Sequence, residues 1–166
     1  MAEKDRRDLF VSWLNDAYSM EQSIAQVLEN HVKDAKNNPQ LQAKLQEHLD
    51  QTRRHADLVK DCLQRLGESP SAIKSTMANV MGTIQGMATG GAKDELVKDS
   101  IQDYATEYFE IASYRDLIIA ARDLGYQECV NSFTEILREE ENMADWLQQH
   151  SPMLVQETLQ QVGASG

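Results

Sequence analysis

The sequence predicts an all-α protein built around four long amphipathic helices. Three observations predict this fold class. Apolar residues recur every three or four positions along four long segments, which is the spacing of one helix face. Proline and most glycines lie between these segments, where helices start and stop. No segment of useful length alternates apolar and polar residues as a half-buried strand would.

The composition is that of one globular domain with an acidic surface. The chain has 166 residues, of which 41% are hydrophobic and 26% are charged, so it can bury a sizeable core. Its formal net charge of -11 disfavours duplex nucleic acid or an anionic membrane as a partner, because both bind basic surfaces. No segment approaches the ~20 apolar residues of a membrane span. We expect a single domain over residues 1–166 that binds neither nucleic acid nor membrane.

Proline and glycine mark the ends of the predicted helices. Each proline follows a residue that caps helix N-termini, in the pairs Asn38-Pro39, Ser69-Pro70 and Ser151-Pro152. Proline suits the first helical position, because its missing N–H would have no partner there. Glycines follow the expected helix ends, at Gly67, Gly90, Gly91 and Gly125. The resulting helices span about residues 5–36, 39–66, 70–88, 93–124, 127–149 and 152–162.

The connections between these helices predict the topology. The first two long helices, and the last two, are joined by only a few residues, so each pair forms an antiparallel hairpin. The connection from the second to the third long helix, about Gly67 to Ala92, is long enough to return the chain to the other end of the bundle. This is the ferritin-like arrangement of a four-helix bundle. An apolar stripe on the connection is predicted to pack on the bundle, with a membrane or partner role as the alternative: Met77, Val80, Met81, Ile84 and Met87.

Polar residues interrupt the apolar face of each long helix near its middle. They are Glu21 in the first helix, His48, Thr52 and His55 in the second, Glu107 with Glu110 one turn later in the third, and Glu140 in the fourth. Helices rise ~1.5 Å per residue. The central residues of four level helices therefore meet in one layer of the core.

A layer of buried acids needs a compensating charge. An isolated buried carboxylate is protonated, paired or bound to a cation, because burial disfavours its charged form. The helix faces offer few basic residues, and carboxylates with imidazole suit iron, manganese or zinc. We expect one or two Fe or Mn ions, with Zn as a substitute, held by Glu21, His55, Glu107, Glu110 and Glu140, with His48, Gln51 and Thr52 as accessory residues. Any one of these glutamates alone has a simpler interpretation, an edge residue whose carboxylate reaches water.

The remaining reactive side chains receive structural interpretations. His31 and His150 are predicted at the surface or at helix ends. Cys62 reads as a small buried residue and Cys129 is uninformative; two cysteines without CxxC spacing favour a reduced, cytoplasmic chain. In the run 139–141 only the central glutamate lies on the apolar face. Packing roles are expected for the tyrosines Tyr18, Tyr104, Tyr108 and Tyr114.

Several segments resemble one family. They are residues 16–21 (DAYSME), 48–52 (HLDQT), 107–114 (EYFEIASY) and 124–126 (LGY). They are similar to the YciE/YciF group of ferritin-like proteins, a domain of unknown function. The resemblance spans about residues 8–147 and implies a rubrerythrin-like bundle, a di-metal site, frequent homodimers and a bacterial stress response. Four glutamates match the carboxylate positions of the ferritin-like pattern: Glu21, Glu107, Glu110 and Glu140.

The sequence also departs from that pattern. Thr52 and His55 form Thr-x-x-His where the superfamily has Glu-x-x-His, and Met143 follows Glu140 where histidine is usual. Gln51 is neutral where the family often has an acid. One imidazole and fewer anionic ligands are therefore expected, which leaves a pair of metals, a single metal and a degenerate site all open.

Three functions follow from these features. The first is a metal-binding protein, as a di-metal oxidase or peroxide scavenger if it is an enzyme, with Glu107 or Glu140 bridging two ions. The second is a non-enzymatic, stress-associated interaction protein with a degenerate site and an unidentified protein partner. The third is iron storage, which needs a closed shell of subunits. A homodimer or higher homo-oligomer is expected, and a dimer would exclude storage.

Overall fold

The computed structural model describes residues 2–71, 82 and 92–164, and within these ranges it is helical without strands. The long helices are α1 (Ala2–Asp34), α2 (Pro39–Arg65), α3 (Glu95–Asp123) and α4 (Gln127–Ala164), with a 3-10 turn at Ala35–Asn37. The predicted all-α, ferritin-like four-helix bundle is confirmed. The expected helix at 70–88, with its methionine stripe, falls almost entirely outside the described residues.

The helices form a closed ring. The most extensive contacts join α1 to α2 and α3 to α4, and further contacts join α1 to α3 and α2 to α4. Helices α1 and α3 are antiparallel, since Arg6 pairs with Asp123 at one end of the bundle and His31 contacts Asp103 towards the other. This arrangement directs one face of all four helices into a common core.

The predicted capping residues act at three helix ends. The Asn38 side chain accepts a hydrogen bond from the Leu41 amide at 3.2 Å, and Pro39 occupies the first turn of α2. Gly67 and Gly125 adopt φ values of 74° and 79° just after α2 and α3. This left-handed conformation is strained for residues with a Cβ, so glycine suits both positions.

The last helix differs from the prediction. The sequence indicated separate helices at 127–149 and 152–162, but α4 continues through Pro152 to Ala164. Pro152 has no N–H group to donate to the carbonyl of Gln148, and its ring crowds that carbonyl. These effects make a helix less favourable there without forbidding it. Beyond the proline, Leu154 remains buried, so packing on the bundle favours a continuous helix. The first helix begins at Ala2 and ends at Asp34, close to the expected limits.

The first half of α3 also differs from the prediction. The three-and-four-residue spacing predicts Val97, Ile101 and Tyr104 on its inward face, but the Ile101 side chain is 54% exposed. The buried residues there are polar instead, namely Asp99, Ser100, Gln102, Asp103 and Thr106. Apolar burial resumes from Ile111 onward. The inward face is therefore rotated from the predicted one, and it is hydrophilic before the middle of the bundle.

The cysteines correct the expectation of a reduced chain. Cys62 at the end of α2 and Cys129 at the start of α4 form a disulfide, with their Cα atoms 5.6 Å apart. Both residues are buried. Their wide separation in sequence, and the absence of a CxxC motif, hid a pairing that the antiparallel packing of α2 and α4 creates.

None of the described helices combines the length and the apolar character needed to cross a membrane. This agrees with the acidic, polar composition of the chain.

We predict that replacing both Cys62 and Cys129 with alanine lowers the free energy of unfolding by about 4 kcal/mol. The disulfide closes a loop across a sequence separation of 67, and chain-entropy theory gives about that value for such a loop. Urea unfolding of the oxidised protein and of the double variant measures the difference. Reduced wild-type protein is the control and should match the double variant. Equal urea midpoints for all three samples would show that the cross-link does not stabilise the fold.

Candidate metal centre

Six ionisable side chains meet in the middle of the bundle. They are Glu21 from α1, His48 and His55 from α2, Glu107 and Glu110 from α3, and Glu140 from α4, and none is more than 1% exposed. Each lies on the inward face near the middle of its helix. The structure therefore assembles the layer that the sequence predicts, with His48 as a full member.

Three of these residues form a first group that can hold a metal ion. Glu21, His55 and Glu140 each offer a ligand atom within 4.8 Å of the others. His55 Nδ1 lies 2.7 Å from Glu140 Oε1 and 3.9 Å from Glu21 Oε2. One imidazole nitrogen and two carboxylates thus face a common point.

A second group lies beside the first. His48, Glu107, Glu110 and Glu140 offer ligand atoms that are also within 4.8 Å of one another. His48 Nε2 lies 2.9 Å from Glu107 Oε1 and 3.6 Å from Glu140 Oε2. This second group contains three carboxylates and one imidazole.

Glu140 belongs to both groups. Its Oε1 atom faces His55 and its Oε2 atom faces His48. The two histidines are seven residues apart on α2, so they lie on one face about 10 Å apart along the helix axis. They approach the same carboxylate from opposite sides. This geometry is suited to a carboxylate that bridges two metal ions.

Most polar atoms of the layer lack an aligned hydrogen-bond partner within the described part of the chain. These atoms are Glu21 Oε2, His48 Nε2, His55 Nδ1, Glu107 Oε2, and both carboxylate oxygens of Glu110 and of Glu140. Buried polar groups are nearly always satisfied in folded proteins. Oxygen and imidazole donors that converge in this way fit a divalent cation of the Fe, Mn or Zn type.

The pKa values of the buried carboxylates indicate that the layer contains too little positive charge to balance them. Burial raises the pKa of Glu21 to about 8. Burial and the neighbouring carboxylates raise the pKa values of Glu107 and Glu110 well above their usual range. Burial also acts on Glu140, but contact with His55 and the charge of His48 outweigh it and lower its pKa. Without a metal, protons must therefore supply part of the positive charge.

The imidazole of His55 is held by a second carboxylate. Its Nε2 atom contacts Glu139 Oε2 at 2.7 Å. Glu139 in turn accepts hydrogen bonds of 2.5 and 2.6 Å from Arg54. Burial lowers the pKa of His55, but Glu140, Glu21 and Glu139 outweigh it and raise the pKa. A carboxylate on the outer nitrogen fixes the ring with its Nδ1 atom facing inward, as is usual for metal-binding histidines.

The role of Glu139 was not predicted, because in the run 139–141 the sequence indicates only Glu140 on the apolar face. The sequence carries one signal for this contact, which is the position of Arg54 and Glu139 next to predicted site residues. Arg54 is adjacent to His55 on α2, and Glu139 is adjacent to Glu140 on α4. Because α2 and α4 bring His55 and Glu140 into contact, they also bring Arg54 and Glu139 close to each other. The arginine partially neutralises Glu139, whose side chain is 13% exposed.

Three further residues surround the layer. Gln51 Oε1 lies 3.3 Å from His48 Nδ1 and accepts a hydrogen bond from it, which keeps Nε2 facing inward. Tyr114 donates a hydrogen bond to Glu21 Oε1, a polar role that adds to its predicted packing role. The Thr52 hydroxyl donates to the backbone oxygen of His48 at 3.0 Å, so in this structure it faces the helix backbone and not the central carboxylates.

Two other histidines lie outside this layer. His31 lies in the last turn of α1, at a helix end as one of the two predictions had it, but it is buried, with 3% of the residue exposed. His150 is partly exposed and stacks on Trp146, with ring centroids 3.8 Å apart. Met143 is buried one turn after Glu140, so α4 supplies no imidazole here and both inward-facing histidines come from α2.

The bundle and its buried carboxylate–imidazole layer define a ferritin-like protein whose core is compatible with metal binding. More particularly, residues 5–160 match the family described as a domain of unknown function, DUF892, and the chain belongs to that family. It is 28% identical over 148 residues to protein YciF of Escherichia coli, covering 84% of this chain and 86% of YciF.

Solved structures show the same fold. A protein of Xanthomonas campestris is 30% identical and superposes with a TM-score of 0.80, covering 95% of this chain and 99% of that one. A bacterioferritin-related protein of Bacteroides fragilis, described as a dodecameric thioferritin, has a TM-score of 0.72 at 18% identity and covers 92% and 90% of the two chains. The resemblance to the YciF group is thus confirmed.

We predict that the metal-free protein loses stability as the pH rises from 5 to 8. Glu21, Glu107 and Glu110 have raised pKa values, so in this range the folded state binds more protons than the unfolded state. Each such group lowers the free energy of unfolding by at most about 1.4 kcal/mol per pH unit. The raised pKa of His55 acts in the same direction, since its contribution is lost as the pH rises through the folded value.

Thermal unfolding of chelator-treated protein at several pH values measures this effect. Glu110→Gln removes one of the titrating groups and should flatten the profile. Glu141→Gln, which changes an exposed residue paired with Arg115, is the matched control and should leave the slope unchanged. A melting temperature that is constant or rises over this range would contradict the prediction.

Proposed function

We propose that this protein binds two adjacent divalent metal ions, Fe or Mn, in the middle of its bundle. One observation carries the proposal: buried Glu140 is shared by two groups of ligand atoms that face inward without aligned partners. A single salt-bridged histidine would explain one such group. It would not explain two imidazoles facing opposite oxygens of one carboxylate.

The proposed ligand sets follow the two groups. Glu21 and His55 would hold one ion, His48, Glu107 and Glu110 the other, and Glu140 would bridge them. Zn²⁺ would bind the same donors as a substitute. His48 thereby supplies the imidazole that is missing from α4, and this proposal replaces the accessory role expected from the sequence.

The surrounding residues would tune the centre. Bound Fe or Mn supplies a change of oxidation state, which permits oxidase or peroxidase-like chemistry with oxygen or peroxide. Glu139 and Gln51 orient the two imidazoles, Tyr114 holds Glu21, and complete burial excludes bulk water from the carboxylates. Thr52 would act only indirectly, through its hydrogen bond to the backbone oxygen of His48.

The proposed cellular role follows from the comparison with YciF. The solved structure of YciF is described as that of a stress protein, and it shares 24% identity with this chain at a TM-score of 0.77. We extend a stress-related redox role to this chain, as a single domain acting as a homo-oligomer. The dodecameric Bacteroides fragilis relative supports self-association, which sedimentation would test.

We predict that metal content separates the two positions. Glu21→Gln should lower the metal content from about two ions per chain to about one, and so should Glu110→Gln, because each removes a carboxylate from one position only. Glu140→Gln should lower it further than either, since Glu140 belongs to both groups. Mass spectrometry of untagged protein from cells supplied with Fe and Mn gives the content, and peroxide turnover is then assayed in the same samples.

Glu141→Gln is the matched control, because it lies beside Glu140 on the same helix and is exposed. Its metal content should equal that of the wild type. Folded wild-type protein that contains no metal, and whose melting temperature does not rise with Fe(II) or Mn(II), would overturn the proposal. That result would favour the alternative of a non-enzymatic interaction protein with a degenerate site.

A further inference from the structure

A second buried histidine cluster lies where α1 ends and α3 begins. His31 Nδ1 contacts Asp103 Oδ1 at 2.8 Å, and His31 Nε2 lies 3.5 Å from Asp99 Oδ1. The side chains of His31, Asp99 and Asp103 are only 4%, 10% and 5% exposed. The cluster thus places one imidazole between two buried carboxylates.

The two contacts of His31 are not equivalent. The contact to Asp103 is a normal hydrogen bond, in which Nδ1–H donates to the carboxylate. The contact to Asp99 is too long for a good hydrogen bond. Asp99 Oδ2 is also buried and has no hydrogen-bond partner in the described part of the chain. The outer nitrogen and a buried carboxylate therefore face each other without a well-formed bond between them.

A metal ion fits this separation. Zinc lies about 2.0–2.1 Å from imidazole nitrogen and about 2.0–2.2 Å from carboxylate oxygen. Two such ligands at a tetrahedral angle are about 3.4 Å apart by that geometry, and the observed separation is 3.5 Å. The hydrogen bond from the other ring nitrogen to Asp103 is the contact that orients metal-binding histidines in proteins.

The charge around the cluster also favours a cation. Burial raises the pKa of Asp99 to about 6, and Asp103, Asp34 and Glu95 raise it while His31 lowers it. The carboxylates that attract a proton to His31 attract a doubly charged ion more strongly.

We propose that His31 Nε2 and Asp99 bind a divalent transition-metal ion such as Zn²⁺, with Asp103 orienting the imidazole and water completing the coordination. This site is distinct from the central layer. Asp99, Asp103 and Glu107 follow one another at intervals of four residues, so Asp99 lies about 12 Å from Glu107 along α3. The three acids form a row that runs from the end of the bundle towards the proposed centre.

Zinc stoichiometry tests the proposal. Chelator-treated wild-type protein and variants are dialysed against Zn²⁺ alone, and the bound zinc is counted by mass spectrometry. Asp99→Asn should bind one zinc fewer per chain than the wild type. Asp94→Asn is the matched control, because it removes the same charge from an exposed residue at the start of α3 that pairs with Lys98. Equal stoichiometry in the wild type and in both folded variants would overturn the proposal.

A measurement that leaves Asp99 unchanged covers the case in which Asp99→Asn does not fold. Proton–nitrogen correlation spectra of the imidazoles report on each ring nitrogen of His31 directly. Addition of Zn²⁺ should shift the His31 Nε2 resonance, and the shift should persist in Glu140→Gln, whose central groups are disrupted. A His31 ring that stays protonated on both nitrogens at saturating Zn²⁺ would overturn the proposal, whatever the central layer binds.

Discussion

Burial of several carboxylates in one layer is the constraint on which the rest of this structure depends. Four glutamates and two histidines occupy positions that would otherwise be apolar, and none is more than 1% exposed. A carboxylate in such surroundings cannot stay charged without a partner. Each surrounding feature then has a physical reason: Tyr114 bonds Glu21, Arg54 offsets Glu139, and the imidazoles lie against Glu140.

Helix periodicity was sufficient to predict the bundle and most of this layer. Glu21, Glu107, Glu110 and Glu140 interrupt apolar faces at similar heights, so their convergence follows from helix geometry alone. The same reasoning placed His48 on the inward face but only as an accessory residue, because periodicity gives the face of a residue but not which ring nitrogen reaches the centre. The ring nitrogen of His48 that faces the centre, Nε2, is determined by Gln51, whose amide oxygen lies beside the other nitrogen, Nδ1.

The parts that sequence could not predict depend on contacts between helices. Cys62 and Cys129 pair only because α2 and α4 pack antiparallel at the correct height. The continuation of α4 through Pro152 depends on packing beyond the proline, which local propensity does not register. The polar burial in the first half of α3 is a third case. Asp103 resembles a surface residue until His31 of the opposing helix is placed beside it.

The placement of both central histidines on α2 has a consequence for how the layer assembles. A shift of α2 by a single residue would turn its inward face by about 100° and withdraw both imidazoles from Glu140 together. The two halves of the layer therefore depend on the same placement of α2. Correct placement of one helix is thus required for the whole site, and the disulfide from the end of α2 to α4 restricts the sliding that would disrupt it.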